Sequence, residues 1–386
     1  MKNFFLIPDR FAHYREDVFI YIAKELKIKG YNNFLLIDIN DQDITKIPIG
    51  NIKEISKNYS ILKLKNFYFK KYKNIILYQI NLLSYFLEKK PQLIIAWGES
   101  HRISTLFLLL ISKLIGSKLV LWSHGFYGNE SFLKLQWRKF FYSLSPLILL
   151  YGSEGKRLMN MYLPKKRSYI IGNSTNLKKF DISFNNYDDL IHSRKMLIRK
   201  YKIKSIGEPI LLSFIGRLTN LKKLDILIDI INYDSSKNIE LWLIGEGDES
   251  AKLKRRCKNL GIENRVHFFG EIYSQKEIHS ILEVTDIFAC PSQLGLSVAT
   301  ALSSGLNILT SSYSINHMPE TDVLIENNLI NLTDFTDLKF TYKILKEIYK
   351  KSKNIEKRKQ NQLDCYKYFS AEKHSKNILK ALQTLF

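Results

Sequence analysis

Cysteine is scarce in this chain. Its 386 residues hold three, Cys257, Cys290 and Cys365, far apart and with no C-x-x-C pair. That excludes a disulfide-stapled fold and a cysteine zinc site, and it fits a reducing compartment. Long apolar runs are missing as well. The most apolar stretch, Leu106 to Trp122, is broken by Lys113 and Lys118 and falls short of the ~20 residues a spanning helix needs. The first apolar run ends at Pro8-Asp9-Arg10 with no small-residue cleavage site behind it, so it does not read as a secretory signal. The expectation is a cytoplasmic protein, in solution or lying on the inner face of the cell membrane.

Carboxylates are in short supply too. Asp and Glu number 37 against 59 Lys and Arg, a formal net charge of +22. The shortage is local: residues 1–200 hold 33 basic and 15 acidic side chains, and residues 201–386 hold 26 and 22. Because residues 1–50 balance at 7 and 7, the whole surplus of this first half lies between 51 and 200. A basic half joined to a near-neutral half implies two partners, and anionic lipid and nucleic acid are the usual ones for such a patch. A lysine-rich compositional habit is the plain alternative.

What is present suits a globular α/β protein. Apolar residues make up 45% and charged residues 25%, enough for real cores, and the length suits two domains. Short apolar strands alternate with amphipathic helices throughout, which is the signature of parallel sheets. In the first half the pattern predicts strands over 4–7, 34–37, 93–96, 118–122, 148–151 and 169–171. It predicts helices over 18–29, about 72–89 and near 105–115. The polar stretch after Asn173 reads as a linker with one helix, over 176–208. A second alternating set follows, with strands over 210–215, 240–244, 266–269, 286–290 and 307–310. Its helices are predicted over 222–231, 249–260, 275–283, 296–304 and 338–350, and a last one from about Ala371. The fold class is two Rossmann-like domains, 1–175 and 209–365, in which ligands bind beyond the carboxyl ends of the strands.

The segment SFIGRLTNLKKLDILID carries the first chemical signal. Gly216 ends a strand, Arg217 follows it, and Lys222 is expected to open the next helix. Two cations beside free backbone N–H groups would hold a diphosphate. Further motifs come in order: Gly245-Glu246-Gly247, then Arg265-Val266 with Gly270, then Pro291-Ser292 with Gly295-Leu296 and Gly305. In this series the second domain resembles the retaining, nucleotide-sugar-dependent glycosyltransferases of family 4, which have the GT-B fold. Three departures stand out. The paired glutamates of that family are missing, with Thr300 at the second position. Lys223 replaces a glycine, and no Gly-Gly pair stands in the first loop. The run Gly295-Leu296-Ser297 with Met318-Pro319-Glu320 downstream resembles a divergent branch that builds surface polysaccharide, such as capsule or lipopolysaccharide.

The resemblance implies a GT-B enzyme with its domains facing a cleft and a closing helix, 366–386, rejoining the first. It implies a nucleoside diphosphate sugar as donor and a glycan, lipid-linked in this branch, as acceptor. Arg217 and Lys222 would stabilise the departing diphosphate, and His124 of the Trp122-Ser123-His124-Gly125 stretch would face the donor sugar. Gly216, Gly245, Glu246, Gly270, Glu271, Pro291, Ser292, Gly295, Leu296, Ser297 and Thr300 would line the donor. Gly125, Glu99, Glu154 and Arg10 would lie on the acceptor side. No cofactor is expected and no metal, since Asp41-Gln42-Asp43 fits a D-x-D pattern only in an early loop. The basic first domain, with Lys63, Lys65, Lys70, Lys71 and Lys73 among Phe67, Tyr68, Phe69 and Tyr72, is expected to dock on anionic lipid. Nucleic acid is not expected as a partner, for no zinc-finger spacing or RNP-like strand is found. Two rivals remain at this point, a non-catalytic partner subunit and a basic nucleic-acid-binding protein. A nucleotide-sugar 2-epimerase would carry acid pairs that are absent here.

Overall fold

A computed structural model describes residues 2–38, 49–68, 76–175, 177, 182, 184–205, 207–312 and 317–385. The Asp41–Asp43 motif and Phe69 to Lys73 of the aromatic–lysine segment lie outside the described residues. The chain divides into two compact units, 1–176 with 370–386, and 177–369.

The first unit is built on β1 (Lys2–Ile7), α1 (Glu16–Ile28) and β2 (Tyr31–Ile37). α2 (Ile52–Ile55) and β3 (Ser60–Lys63) follow, and then an antiparallel ribbon of β4 (Lys65–Tyr68) and β5 (Ile76–Ile80). Next come α3 (Leu82–Lys89), β6 (Leu93–Trp97), α4 (Ile103–Ile115), β7 (Lys118–Ser123) and α5 (Phe132–Leu144). β8 (Ile148–Leu150), α6 (Ser153–Tyr162) and β9 (Ser168–Ile170) complete this part. Seven strands form one parallel sheet in the order β3-β2-β1-β6-β7-β8-β9. Strands such as LIIAW in β6 are buried along their whole length, as expected for a parallel sheet covered on both faces.

The helix expected over about 72–89 is corrected. Ile76–Ile80 is a strand, and the helix starts only at Leu82. Asn81 takes a left-handed conformation, φ +71°, which separates the two. Within the strand Gln79 is buried and donates to Asn66 at 3.1 Å, while Tyr78 and Ile80 on either side of it are exposed, an alternation of period two.

The second unit opens with α7 (Tyr187–Lys200), inside the stretch expected as a linker. It is tied to its sheet by Arg194, whose buried guanidinium meets Asp286 at 2.8 Å and donates to the Val284 carbonyl at 2.8 Å. β10 (Ile210–Ile215), α8 (Asp225–Tyr233), β11 (Ile239–Ile244), α9 (Ser250–Asn259), β12 (Val266–Gly270) and α10 (Gln275–Leu282) follow. Then come β13 (Ile287–Cys290), α11 (Ser297–Ser303), β14 (Asn307–Ser311), α12 (Glu320–Glu326) and β15 (Asn331–Thr333). α13 (Leu338–Ser352) and α14 (Ile355–Phe369) close the unit. The six-stranded parallel sheet runs β12-β11-β10-β13-β14-β15. The order reverses between β10 and β13, the switch point where such sheets bind ligands.

The chain then returns to the first unit as α15 (Ala371–Gln383). Its Ile378, Leu379 and Leu382 complete the core under α1, and Asn377 donates to the Ile171 carbonyl at 3.1 Å.

Candidate functional site

In the second unit the carboxyl ends of β10, β11 and β12 are knitted by backbone. Gly216 N–H donates to Ile244 O at 3.0 Å, Gly245 N–H to Gly270 O at 2.7 Å, and Leu218 N–H to Glu246 O at 3.0 Å. The approach is so close that a Cβ on Gly245 would stand 2.1 Å from the Gly216 carbonyl oxygen. No residue but glycine fits there. Gly216, Gly245, Glu246 and Gly270 thus come together on one edge, with Arg217 exposed beyond β10. Glu271 lies just past β12 at the sheet's outer edge and accepts from the Tyr273 hydroxyl at 2.9 Å.

Lys222 does not open a helix, and that expectation is corrected. It closes a single 3-10 turn, Asn220–Lys222, and α8 begins three residues later at Asp225. Lys223 takes the left-handed conformation, φ +50°, so the residue standing for a glycine keeps the backbone shape a glycine would have. The turn aims the half-buried Lys222 side chain across the switch point, where its ammonium donates to the main-chain carbonyl of Gln293. Burial pulls that ammonium below the usual lysine range, while Cys290 and Glu320 pull the other way.

The loop that receives Lys222 runs from Pro291 to Leu296 after β13. Gln293 is also left-handed, φ +50°. His317 braces the loop: Leu294 N–H donates to its Nδ1 at 3.1 Å, and its Nε2 lies 3.3 Å from Thr310 Oγ1 and 3.2 Å from Ser311 O. Met318 N–H returns a bond to Leu294 O at 3.0 Å. Ser292, Gly295, Leu296 and Ser297 are half-buried on this side of the switch point, with Pro291 buried beneath. Thr300 sits one turn into α11, also half-buried.

The first unit gathers a different set at the ends of β6 and β7. His124 follows β7, and its ring lies 4.4 Å from that of Tyr151, centroid to centroid. Burial, together with the positive charges of Arg15 and Arg138, pushes its pKa down to about 4. The imidazole is therefore neutral at pH 7 and offers one donor and one acceptor. A Cβ on Gly155 would stand 2.6 Å from the His124 carbonyl oxygen, so α6 can start this close only through a glycine.

Arg138 is the residue that sequence reasoning missed. It is 4% exposed and donates to the Gly125 carbonyl at 2.6 Å, which also accepts from Tyr142 at 3.0 Å. It lies 3.7 Å from Glu130 and 3.8 Å from Glu99 and beneath the Tyr127 ring, 4.5 Å from its centroid. Glu130 in turn accepts from the backbone of Tyr127 and Gly128 at 2.7 and 2.9 Å. One buried cation thus fixes the whole loop from His124 to Glu130. Burial raises the Glu99 pKa, opposed by Arg138 and Lys134.

Two other expected acceptor-side residues follow strand ends of the same sheet. Glu154, at the start of α6, is exposed and bonded to Arg157 through two contacts of 2.7 Å. Arg10 is half-buried in the loop after β1. Among the described residues no three His, Cys, Asp or Glu side chains gather as a metal site would require.

Residues 198–321 match the family of glycosyl transferases group 1. An uncharacterized glycosyltransferase of Methanocaldococcus jannaschii is 24% identical over 250 residues, which is 60% of this chain and 58% of that one. The chain therefore spans less than two thirds of the length of this relative. HepE of Anabaena, solved in complex with UDP, superposes with a TM-score of 0.66 at 15% identity, with both chains fully covered. The lipopolysaccharide outer core galactosyltransferase WaaB, in its apo form, gives 0.67 at 14% identity, again with both chains fully covered. The two units thus share the Rossmann-like α/β fold of GT-B glycosyltransferases, and the similarity to glycosyl transferases group 1 lies in residues 198–321.

Proposed function

We propose that the protein transfers a hexosyl group from a nucleoside diphosphate sugar to a glycan acceptor. The observation that carries the reading is the Lys222 ammonium spanning the β10–β13 switch point to Gln293 O, with Arg217 on the same edge. Breaking the glycosidic bond of such a donor leaves charge growing on the distal phosphate. Arg217 and Lys222 supply two cations where that charge develops, and the half-buried, anchored Lys222 stabilises it with little reorganisation. Exchanging the Gln293 carbonyl for a phosphate oxygen gives Lys222 a stronger, charge-assisted partner. The reaction needs no protein-bound metal in this reading, and the configuration at the transferred carbon is retained, as in the family it resembles.

In the same reading Gly216, Gly245, Glu246, Ser292, Gly295, Leu296, Ser297 and Thr300 line the donor, and backbone at Gly270 and Glu271 meets the base. The neutral His124 exchanges a hydrogen bond with a sugar hydroxyl, and Glu99 meets the acceptor. The acceptor is a growing, lipid-linked surface glycan. WaaB, named for the lipopolysaccharide outer core, and HepE, solved with UDP, support the substrate classes.

Calorimetry with UDP-, GDP- and TDP-sugars tests the reading. One of them should bind, and Arg217→Ala should weaken it roughly tenfold or more, the worth of one charge-assisted hydrogen bond. A protein that binds none of the three, or whose affinity survives Arg217→Ala, does not work this way.

A further inference from the structure

Two neighbouring helices of the first unit bury one apolar face in the core and leave a second one in water. α4 reads ISTLFLLLISKLI, yet it buries Ser104, Thr105 and Ser112 along with two leucines. Its outer face carries Ile103, Phe107, Leu110 and Leu114, the last of them 84% exposed. These positions, at i, i+4, i+7 and i+11, form one continuous stripe. α5 buries Phe141, Tyr142 and Leu144 together with Arg138, yet it also exposes Phe132, Leu133, Trp137 and Phe140, with Phe132 at 72% and Leu133 at 80%. α4 packs between α5 and α3, and α3 exposes Leu83 and Leu87 as well. Scattered exposed leucines are ordinary, but a patch of large side chains over three adjacent helices is the mark of a surface meant to be covered.

The charges around the patch say what covers it. Lys113 and Lys134 are exposed on these same helices, and Lys90 follows α3. Along α4, α5 and the loop between them the sole carboxylate is Glu130, which is turned inward toward Arg138, and the exposed Glu88 of α3 is paired with Lys89. A second copy of the chain would set lysine against lysine. An anionic bilayer takes both features at once, the apolar side chains at the acyl boundary and the ammonium groups among the phosphates. Trp137 suits that boundary, since its indole N–H is held by Ser100 O at 2.8 Å while its ring stays partly exposed.

We propose that the outer face of α3, α4 and α5 docks the protein on an anionic lipid bilayer. The inference goes beyond sugar transfer and rests on the surface alone. It also moves the expected contact from the aromatic–lysine segment near residue 70 to these three helices.

The test is flotation of the full chain with phosphatidylcholine vesicles and with phosphatidylcholine–phosphatidylglycerol vesicles. Recovery should be roughly tenfold higher on the anionic vesicles, as a few lysines near the surface require. The Leu114→Gln/Leu133→Gln variant should lose most of that recovery, and Lys113→Glu/Lys134→Glu should lose the preference for anionic lipid. Both variants should melt as the parent does, because the altered side chains touch solvent. Equal recovery on the two vesicle types, or full recovery of the glutamine variant, would overturn the proposal. So would a parent dimer in light scattering that the glutamine variant dissolves, which would give the face to a second copy. Nucleotide-sugar calorimetry without lipid keeps the readings apart, since lost donor binding with intact flotation sinks sugar transfer and spares the docking surface.

Discussion

Arg138 donates to the carbonyl oxygen of Gly125 at 2.6 Å while facing Glu130 and Glu99 at 3.7 and 3.8 Å. One guanidinium thus carries a backbone turn and two carboxylates inside the first unit. Truncation to alanine would leave buried negative charge without its counterpart, a change that costs about 3–5 kcal/mol. Arg138→Ala should lower the urea midpoint of the first unit by a corresponding amount, and Arg138→Lys should recover only part of it, since an ammonium cannot reach all these partners at once. An unchanged midpoint in Arg138→Ala would mean the network contributes nothing.

Lys222→Met keeps most of the side-chain length and removes the charge. Donor affinity should drop by roughly ten- to a hundredfold, the worth of a hydrogen bond to a charged group, while thermal stability stays near that of the parent. The check is a nucleotide-sugar titration alongside a melting curve. Equal binding would show that the ammonium at Gln293 is structural only.

Gly245→Ala would force a methyl group to 2.1 Å from the Gly216 carbonyl, so the second unit should unfold at markedly lower urea. Gly261→Ala is the matched control: it too has positive φ, +65°, but nothing within 4 Å of its added carbon, and should cost only about 1–2 kcal/mol of backbone strain. The two should differ severalfold in destabilisation.

His124 and His374 make the first unit sensitive to acid. Burial first, and then the charge of Arg15, push the His374 pKa down to about 3, and the His124 pKa is about 4. In the unfolded chain both take up a proton near pH 6.5, while the folded unit stays neutral there. The unfolded state therefore binds more protons as pH falls. Stability is complete above about pH 6.5 and declines toward pH 3, by up to about 1.4 kcal/mol per pH unit for the fully buried His374. Melting curves from pH 7 to 4 should show the decline, and His374→Gln should flatten it. A profile unaffected by that substitution would trace the acid response to other groups.

The sheets were legible in the sequence because fully buried parallel strands such as LIIAW and IFAC have no polar member to blur them. Gly216, Gly245 and Gly270 were legible for a related reason, since the close approach of strand ends tolerates little else. α14 was not. Its inner face carries Arg358, Asn361 and Gln362, whose side chains bond to backbone carbonyls of Glu283, Thr285, Leu306 and Ser303. Such a helix buries polar groups and shows weak apolar periodicity. Arg138 hid for the same reason: beside Lys139 in α5 nothing in the letters marks which cation turns inward. The turn ending at Lys222 was hidden by Lys223, because a lysine gives no sign that its backbone is left-handed.

α15 has a bearing on how the molecule is made. The first unit draws Ile378, Leu379 and Leu382 from a helix that leaves the ribosome only after the whole second unit has been synthesised. Residues 2–175 must therefore wait with the core under α1 uncovered, although the core on the other face of their sheet is complete, while residues 177–369 already hold everything their own core needs. The unit encoded second is the one free to finish first.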